Sequence, residues 1–485
     1  MGLDLSIPRR ANTGRSLMPG HGASQHGALQ HELSSSLGVG QATVVASPPD
    51  LVLVESVDQR WTAIRLLSVS SKAGLAVLGQ ALFAGSHFLV NVFLARWLSP
   101  EQYGAFALAY AGFLLFLMLY GACVYEPLIV FGSGRYAGRF DEYFGLLTRG
   151  NVAVLGVLTL LMLASSFLFS RFFPNGVERD FAALSLAAPF VLLTWLGRAG
   201  FYARMKPGEA AWGGAIYFVT LLVTVVVLRM EGRLSGSTAF LGMGLAGLIS
   251  NLFLFYRLGF RWTGSAGSLR LKQVRNDHWN YGRWALASAL VTWFPQNIYY
   301  ALLPAKAGLE GAAALRALTN LINPALQTLT ALAAVLIPVL VRQYQDCGIR
   351  KIRKTMRTLT VLLIPGSVVY LLVLWLGRSI VFQFLYAGKY DEYKSGPLLL
   401  TALVPIAVTA AIIVGSALRA LEKPEWIFWS YAAATLSAVV LGVPLTLRSG
   451  VLGATGTLFV SSLVAAATMT WFFHRATSRE IKGVQ

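Results

Sequence analysis

The residues best suited to chemistry stand out because they are polar within long apolar runs. The clearest group is Arg316, Asn320, Asn323 and Gln327. Spacings of four, three and four put them on one face of a helix, and Pro324 beside Asn323 partly frees backbone carbonyls there. Such a stripe reads as the hydrophilic, cationic wall of a substrate cavity. The alternative is hydrogen bonding between helices, with Arg316 snorkelling to the surface. Gln80, His87 and Asn91 form a second stripe, at spacings of seven and four. His87 falls near mid-span and titrates near neutrality if solvated, so it is a candidate for a coupling proton or an anionic substrate. A histidine hydrogen-bonded to a neighbouring helix is the alternative. Ser288, Thr292 and Gln296 recur every four residues and are followed by Tyr299. They line a cavity or join helices as small polar groups. Arg198 reads first as a snorkelling cation near a helix end. Glu126, before Pro127, is a proton-coupling candidate or the partner of an inner-loop cation such as Arg135.

These residues need a membrane around them. Of the 485 residues, 56% are hydrophobic and 13% charged, against about a quarter charged in soluble domains. The apolar residues lie in blocks such as 105–119, 152–169 and 359–376, close to the ~20 residues a helix needs to cross a bilayer. Twelve spans are expected, near 73–97, 103–131, 149–170, 181–203, 210–229, 237–257, 280–303, 312–341, 357–377, 396–420, 426–447 and 451–473. Residues 1–72 form a polar tail, mostly disordered by composition, with Trp61, Ile64 and Leu67 as a candidate interfacial helix. The 475–485 segment is a second tail.

The net charge of +19 concentrates in loops, which argues for orientation and lipid headgroups and against nucleic acid. With both termini cytoplasmic, about 29 of the 40 Lys and Arg residues fall on the cytoplasmic side. The two cysteines, Cys123 and Cys347, provide no disulfide framework and no zinc site. Gly132-x-Gly134 opens no βαβ unit, and no P-loop or acidic metal-binding loop occurs, so neither a metal nor a cofactor is expected.

The two halves of the chain echo each other. Gly104-Ala105-Phe106-Ala107-Leu108 matches Gly311-Ala312-Ala313-Ala314-Leu315, each after a loop with a Glu (Glu101, Glu310), and Ala-x-x-Lys-Pro occurs at Ala203 and at Ala420. The fold class expected is an all-α integral membrane protein, with two pseudo-symmetric six-helix lobes (73–256 and 280–474) joined by a basic cytoplasmic linker, 257–279.

The run from Leu94 through Ser99-Pro100-Glu101-Gln102-Tyr103-Gly104 to Ala109 resembles the first outer loop of Wzx-like oligosaccharide flippases of the MOP superfamily. The superfamily also holds the MATE exporters and the lipid II flippase. Residues 315–324 are similar to the start of that family's eighth helix, and Phe201-Tyr202-Ala203-Arg204 before Pro207 to the end of its fourth. The resemblance covers about residues 73–474. It implies a MATE/MOP-like fold and a multi-pass flippase of the bacterial inner membrane. The substrate would be a polyprenyl-pyrophosphate-linked oligosaccharide, for exopolysaccharide or O-antigen synthesis, with a polysaccharide polymerase and a chain-length regulator as partners. It further implies a cavity lined by spans one, two, seven and eight. Arg316 then takes pyrophosphate, and Asn320, Asn323, Gln327, Asn91 and Gln296 take sugar hydroxyls. Family members often carry several intramembrane cations; here Arg316 and Arg198 are the two available. A MATE-type drug exporter shares the architecture but wants acidic residues deep in the bundle. A membrane polymerase, ligase or acyltransferase, the enzymatic alternative, wants a sizeable outer loop, and the longest outer segment is 378–396.

Overall fold

A computed structural model of the chain describes residues 74–75, 77–171, 176–260 and 269–482. The 1–72 tail, with its candidate interfacial helix, lies outside the described residues. Those that are described form helices and short connections, with no strand among them.

The helices are α1 (Val77–Trp97), α2 (Pro100–Ser133), α3 (Phe140–Ser170), α4 (Val177–Ala203), α5 (Pro207–Met230) and α6 (Gly236–Leu258). A helical run, Leu271–Leu376, follows. At about 1.5 Å per residue its 106 residues would reach some 160 Å, several times a bilayer core. It is broken at Gly308 (φ 60°, ψ −175°) and Gly348 (φ 66°, ψ −169°), where glycine permits a backbone that other residues avoid. The three legs are α7 (271–307), α8 (309–347) and α9 (349–376). A short helix, Arg378–Tyr386, precedes α10 (Gly396–Ala420), α11 (Pro424–Ser449) and α12 (Val451–Lys482). Among the described residues, ten stretches are long and apolar enough to cross a membrane, one of them the 92-residue Ala285–Leu376. Counting that one as three legs gives twelve, the expected number. Outward-facing side chains such as Leu160, Phe167, Val361 and Leu362 are more than half exposed, as a lipid-facing surface requires.

Local chemistry explains the helix starts. Ser99 caps α2 in a reciprocal box with Gln102, behind Pro100 at the first turn, and Ser235 does the same for α6 with Thr238. The two Ala-x-x-Lys-Pro segments fold identically. Met205 and Glu422 both have φ 56°. Lys206 N–H donates to the Phe201 carbonyl and Lys423 N–H to that of Leu418, each at 2.9 Å. This is the Schellman closure of a helix end, and the proline then opens the next helix. The sequence echo is therefore also a backbone echo.

Helix α4 is the centre of one packed group, against α2, α3, α5 and α6, and α10 is the centre of another, against α8, α9 and α12. At the end holding residues 98–103 and 307–315, a single apolar core runs through both groups, from Tyr103 and Phe106 to Leu315, Leu318 and Tyr386. At the opposite end the second group keeps a core of its own around Leu340, Ile352, Leu418 and Phe473. The groups are thus fused at one end and parted at the other.

Two helices run on beyond their expected spans, and one expected pairing is not made. First, the linker is helical from Leu271 onward, so α7 starts ahead of its apolar stretch, which begins at Ala285. That early turn is pinned to the first group: Asp277 pairs with Arg135 at 2.9 Å and accepts from the Tyr136 hydroxyl at 2.5 Å. Burial opposes ionisation of Asp277, but the Tyr136 hydrogen bond and the Arg135 guanidinium hold its carboxyl below the usual range. His278 Nδ1 donates to the Cys123 carbonyl (2.9 Å), so Nε2 accepts from the Tyr143 hydroxyl (2.7 Å). Burial lowers the His278 pKa and so favours this neutral ring. Second, Arg135 is taken by Asp277 and does not pair with Glu126. Third, α12 continues to Lys482, through most of the segment expected as a tail.

Candidate functional site

A cavity of about 620 Å³ lies between the two groups. Its walls are the α1 stripe (Gln80, His87, Asn91), the α8 stripe (Arg316, Asn320, Asn323, Gln327) and an aromatic lining that includes Phe83, Phe88, Tyr110, Phe113 and Trp195. The polarity is graded. Asn91, Arg316 and Asn320 are buried at the fused end, whereas Gln80 and Gln327 are exposed toward the parted end.

The buried end is a continuous hydrogen-bonded chain. Asn91 spends its Nδ2 on the His87 carbonyl one turn back (2.7 Å), which turns its Oδ1 toward α8. That oxygen accepts from Arg316 Nε at 2.9 Å and from the Tyr103 hydroxyl at 3.5 Å. Tyr103 in turn accepts from Asn320 Nδ2 at 2.9 Å, and Asn323 Nδ2 reaches Asn320 Oδ1 at 3.5 Å. The Arg316 guanidinium lies over the Tyr110 ring, 4.4 Å from its centroid. His87 sits among Phe83, Tyr110 and Tyr217, with Nδ1 3.4 Å from the Tyr110 hydroxyl.

Among the described residues no Asp or Glu lines the cavity, and none pairs with Arg316 or Arg198. A buried guanidinium without a carboxylate is costly unless something else carries the counter-charge. Hydroxyls, an amide oxygen and a π face satisfy its geometry but not its charge, so the cavity favours an anion.

Arg198 is placed differently from the snorkelling reading. It is 1% exposed, its Nη2 donating to the Gly79 carbonyl (3.2 Å), Gln80 Oε1 (3.3 Å) and the Tyr202 hydroxyl (3.2 Å), with Phe83 under its charge at 4.5 Å. It stands behind the wall and touches the cavity through Gln80 and Phe83. Gln296 is exposed and outside the lining, because α7 turns inward the side bearing Trp293 and Tyr300. Trp293 Nε1 donates to the Ala111 carbonyl, and Tyr300 meets Thr319. Glu126 is exposed beyond a π-helical turn, Gly121–Tyr125, and does not reach the cavity. The stripes' periodicity locates α1 and α8; the aromatic half of the wall, Tyr110 above all, carries no such signal, and Tyr103 behind it none beyond its place in the Pro100-Glu101-Gln102-Tyr103-Gly104 run.

This all-helical fold is one found in transporters of the MOP superfamily. An inward-facing MATE-family multidrug resistance transporter aligns with a TM-score of 0.70 at 14% identity, covering 83% of this chain and 96% of that one. The lipid II flippase MurJ in an inward closed conformation gives 0.63 at 14% identity, over 84% and 87% of the two chains. A MOP superfamily transporter from Pyrococcus furiosus, described as having a binding pocket of reverse polarity that suggests a different function, gives 0.60 at 12% identity, over 84% and 94%. No family model and no curated protein matches the sequence.

Proposed function

We propose that the protein is a flippase that carries a polyprenyl-pyrophosphate-linked oligosaccharide across the bacterial inner membrane by alternating access, without altering it chemically. Both termini are cytoplasmic in this reading, and the parted end of the cavity faces the cytoplasm. One observation carries it: Arg316, 8% exposed, faces a cavity that holds no carboxylate. A pyrophosphate supplies the missing charge, and a guanidinium suits its oxygens. Asn320, Asn323, Gln327 and Asn91 offer donors and acceptors to sugar hydroxyls, and the aromatic wall offers faces to sugar rings. A cation exporter would need the opposite lining, with acids where this cavity has arginine and amides.

The test is Arg316 itself. Arg316→Lys keeps the charge and loses the planar fork, so partial export is expected. Arg316→Gln should reduce export by at least about a hundredfold, the loss of a buried charge-assisted contact of some 3 kcal/mol, while the protein still inserts. Surface glycan and protein level are measured together, along with lipid-linked oligosaccharide stranded on the cytoplasmic leaflet. Wild-type export by a well-expressed Arg316→Gln protein would overturn the reading.

A further inference from the structure

We infer that Arg316 is also the clasp that holds the fused end shut, and that the anion opens this end by taking Arg316 from Asn91. The inference rests on the proposed function for the identity of the anion.

Arg316 belongs to α8, in the second group; its guanidinium has Tyr300 of α7 beside it and reaches across to Asn91 on α1 and the Tyr110 ring on α2. Tyr103 of α2 extends the same link by donating to Asn91 and accepting from Asn320 of α8. The chain crosses from one group to the other twice, through Tyr103, the neighbour of Gly104, whose backbone closes on the Leu309 carbonyl. Around it the seam is held by a hydrogen bond between the Glu101 and Glu310 carboxyl groups, of α2 and α8, and by backbone carbonyls. Lys389 donates to the Arg96 and Leu98 carbonyls at 2.7 and 2.6 Å, and Arg96 donates to those of Gln383 and Phe384.

Asn91 is an effective partner for Arg316 only while nothing charged competes. An amide oxygen is a weaker acceptor for a guanidinium than a phosphate group, which is itself charged and takes two parallel N–H bonds from the planar fork. A pyrophosphate in the cavity approaches Arg316 from the parted end. Once Nε turns to the phosphate, Asn91 Oδ1 loses its charged donor and keeps only the long 3.5 Å contact with Tyr103. The empty protein is thereby held closed at the fused end, and the loaded one is released. Asn91 and Tyr103 are positioning residues that convert occupancy into movement.

The experiment uses the full chain in nanodiscs, with Cys123 and Cys347 replaced by alanine and spin labels on cysteines introduced at Arg233 and Lys306, both exposed and outside the seam contacts. Farnesyl pyrophosphate is the probe, and its binding is titrated separately by calorimetry. In the otherwise native background the probe should lengthen the label-to-label distance. Asn91→Ala should show the longer distance without probe. Asn91→Asp gives Arg316 a carboxylate partner, so it should stay short at saturating probe and bind it at least about tenfold more weakly. Probe binding with no change of distance, or unweakened binding by Asn91→Asp, overturns the clasp and leaves the function standing. Failure of the native background to bind the probe overturns both.

Discussion

At the scale of single residues, the contrast between Arg316 and Arg198 shows what a stripe of polar residues can reveal. The four-three-four spacing puts Arg316 on the same face as Asn320, Asn323 and Gln327, and all four line the cavity. Nothing near Arg198 in sequence shows that a helix carbonyl and Gln80, 119 and 118 residues away, would take the place of water around it. The aromatic wall was equally hidden, since tyrosine and phenylalanine are as common on lipid-facing surfaces as on cavity surfaces. The position of Arg198 has a testable effect. With no carboxylate to orphan, Arg198→Met should change stability by no more than about 1 kcal/mol, in either direction. Its charge acts on the cavity through Gln80 and Phe83, so affinity for a pyrophosphate probe should fall by about threefold to tenfold, and Arg198→Lys should recover most of it. Titration of the three proteins beside their melting temperatures separates a field effect from damage to the fold.

At the scale of elements, the span count and most boundaries were legible because apolar length and loop charge are first-order properties of a membrane chain. The starts and ends that shifted are those fixed by tertiary contact. Helix α7 begins early because Asp277 and His278 find partners on the segment from Cys123 to Tyr143. The repeated turn makes a separate prediction. Met205 and Glu422 occupy a left-handed conformation that costs a side-chain-bearing residue roughly 1 kcal/mol. Met205→Gly and Glu422→Gly should each stabilise the protein by about 0.5–1 kcal/mol, and by similar amounts, because the two turns share their dihedral angles and hydrogen bonds. Thermal unfolding in detergent, singly and in combination, checks both the sign and the equality.

At the scale of the whole molecule, two packed groups meet at one end and diverge at the other. The meeting depends on closeness of backbone: a Cβ on Gly104 would stand 1.9 Å from the Leu309 carbonyl oxygen. Gly104→Ala therefore has no room in the closed seam, and backbone on both sides must move. The expected outcome is a shift toward the state open at the fused end, read as faster labelling of a cysteine placed at Asn320 by a membrane-impermeant reagent added from that side. Labelling as slow as in the Gly104 parent would mean that the seam yields locally without parting. The Gly-Ala echo at 104 and 311 marks α2 and α8 as corresponding helices of the two halves, but does not by itself show that they meet. The state of the seam was not legible either, because open and closed forms of such a molecule share one sequence and one set of spans.

The uncompensated guanidinium of Arg316 also makes the protein a voltage-sensitive device on the proposed function. A charge held in a compartment that changes the side to which it opens is displaced through part of the membrane's electric field. Each elementary charge moved across the full field exchanges about 2.3 kcal/mol per 100 mV. Empty, the cavity carries the positive charge of Arg316, with that of Arg198 behind its wall; a pyrophosphate diester brings two negative charges and cancels both. An interior-negative membrane then pulls the empty carrier toward the cytoplasmic side and leaves the loaded one free to move away from it. The return half of the cycle draws on the resting potential, and the direction of transport follows from buried cationic side chains that have no acid beside them.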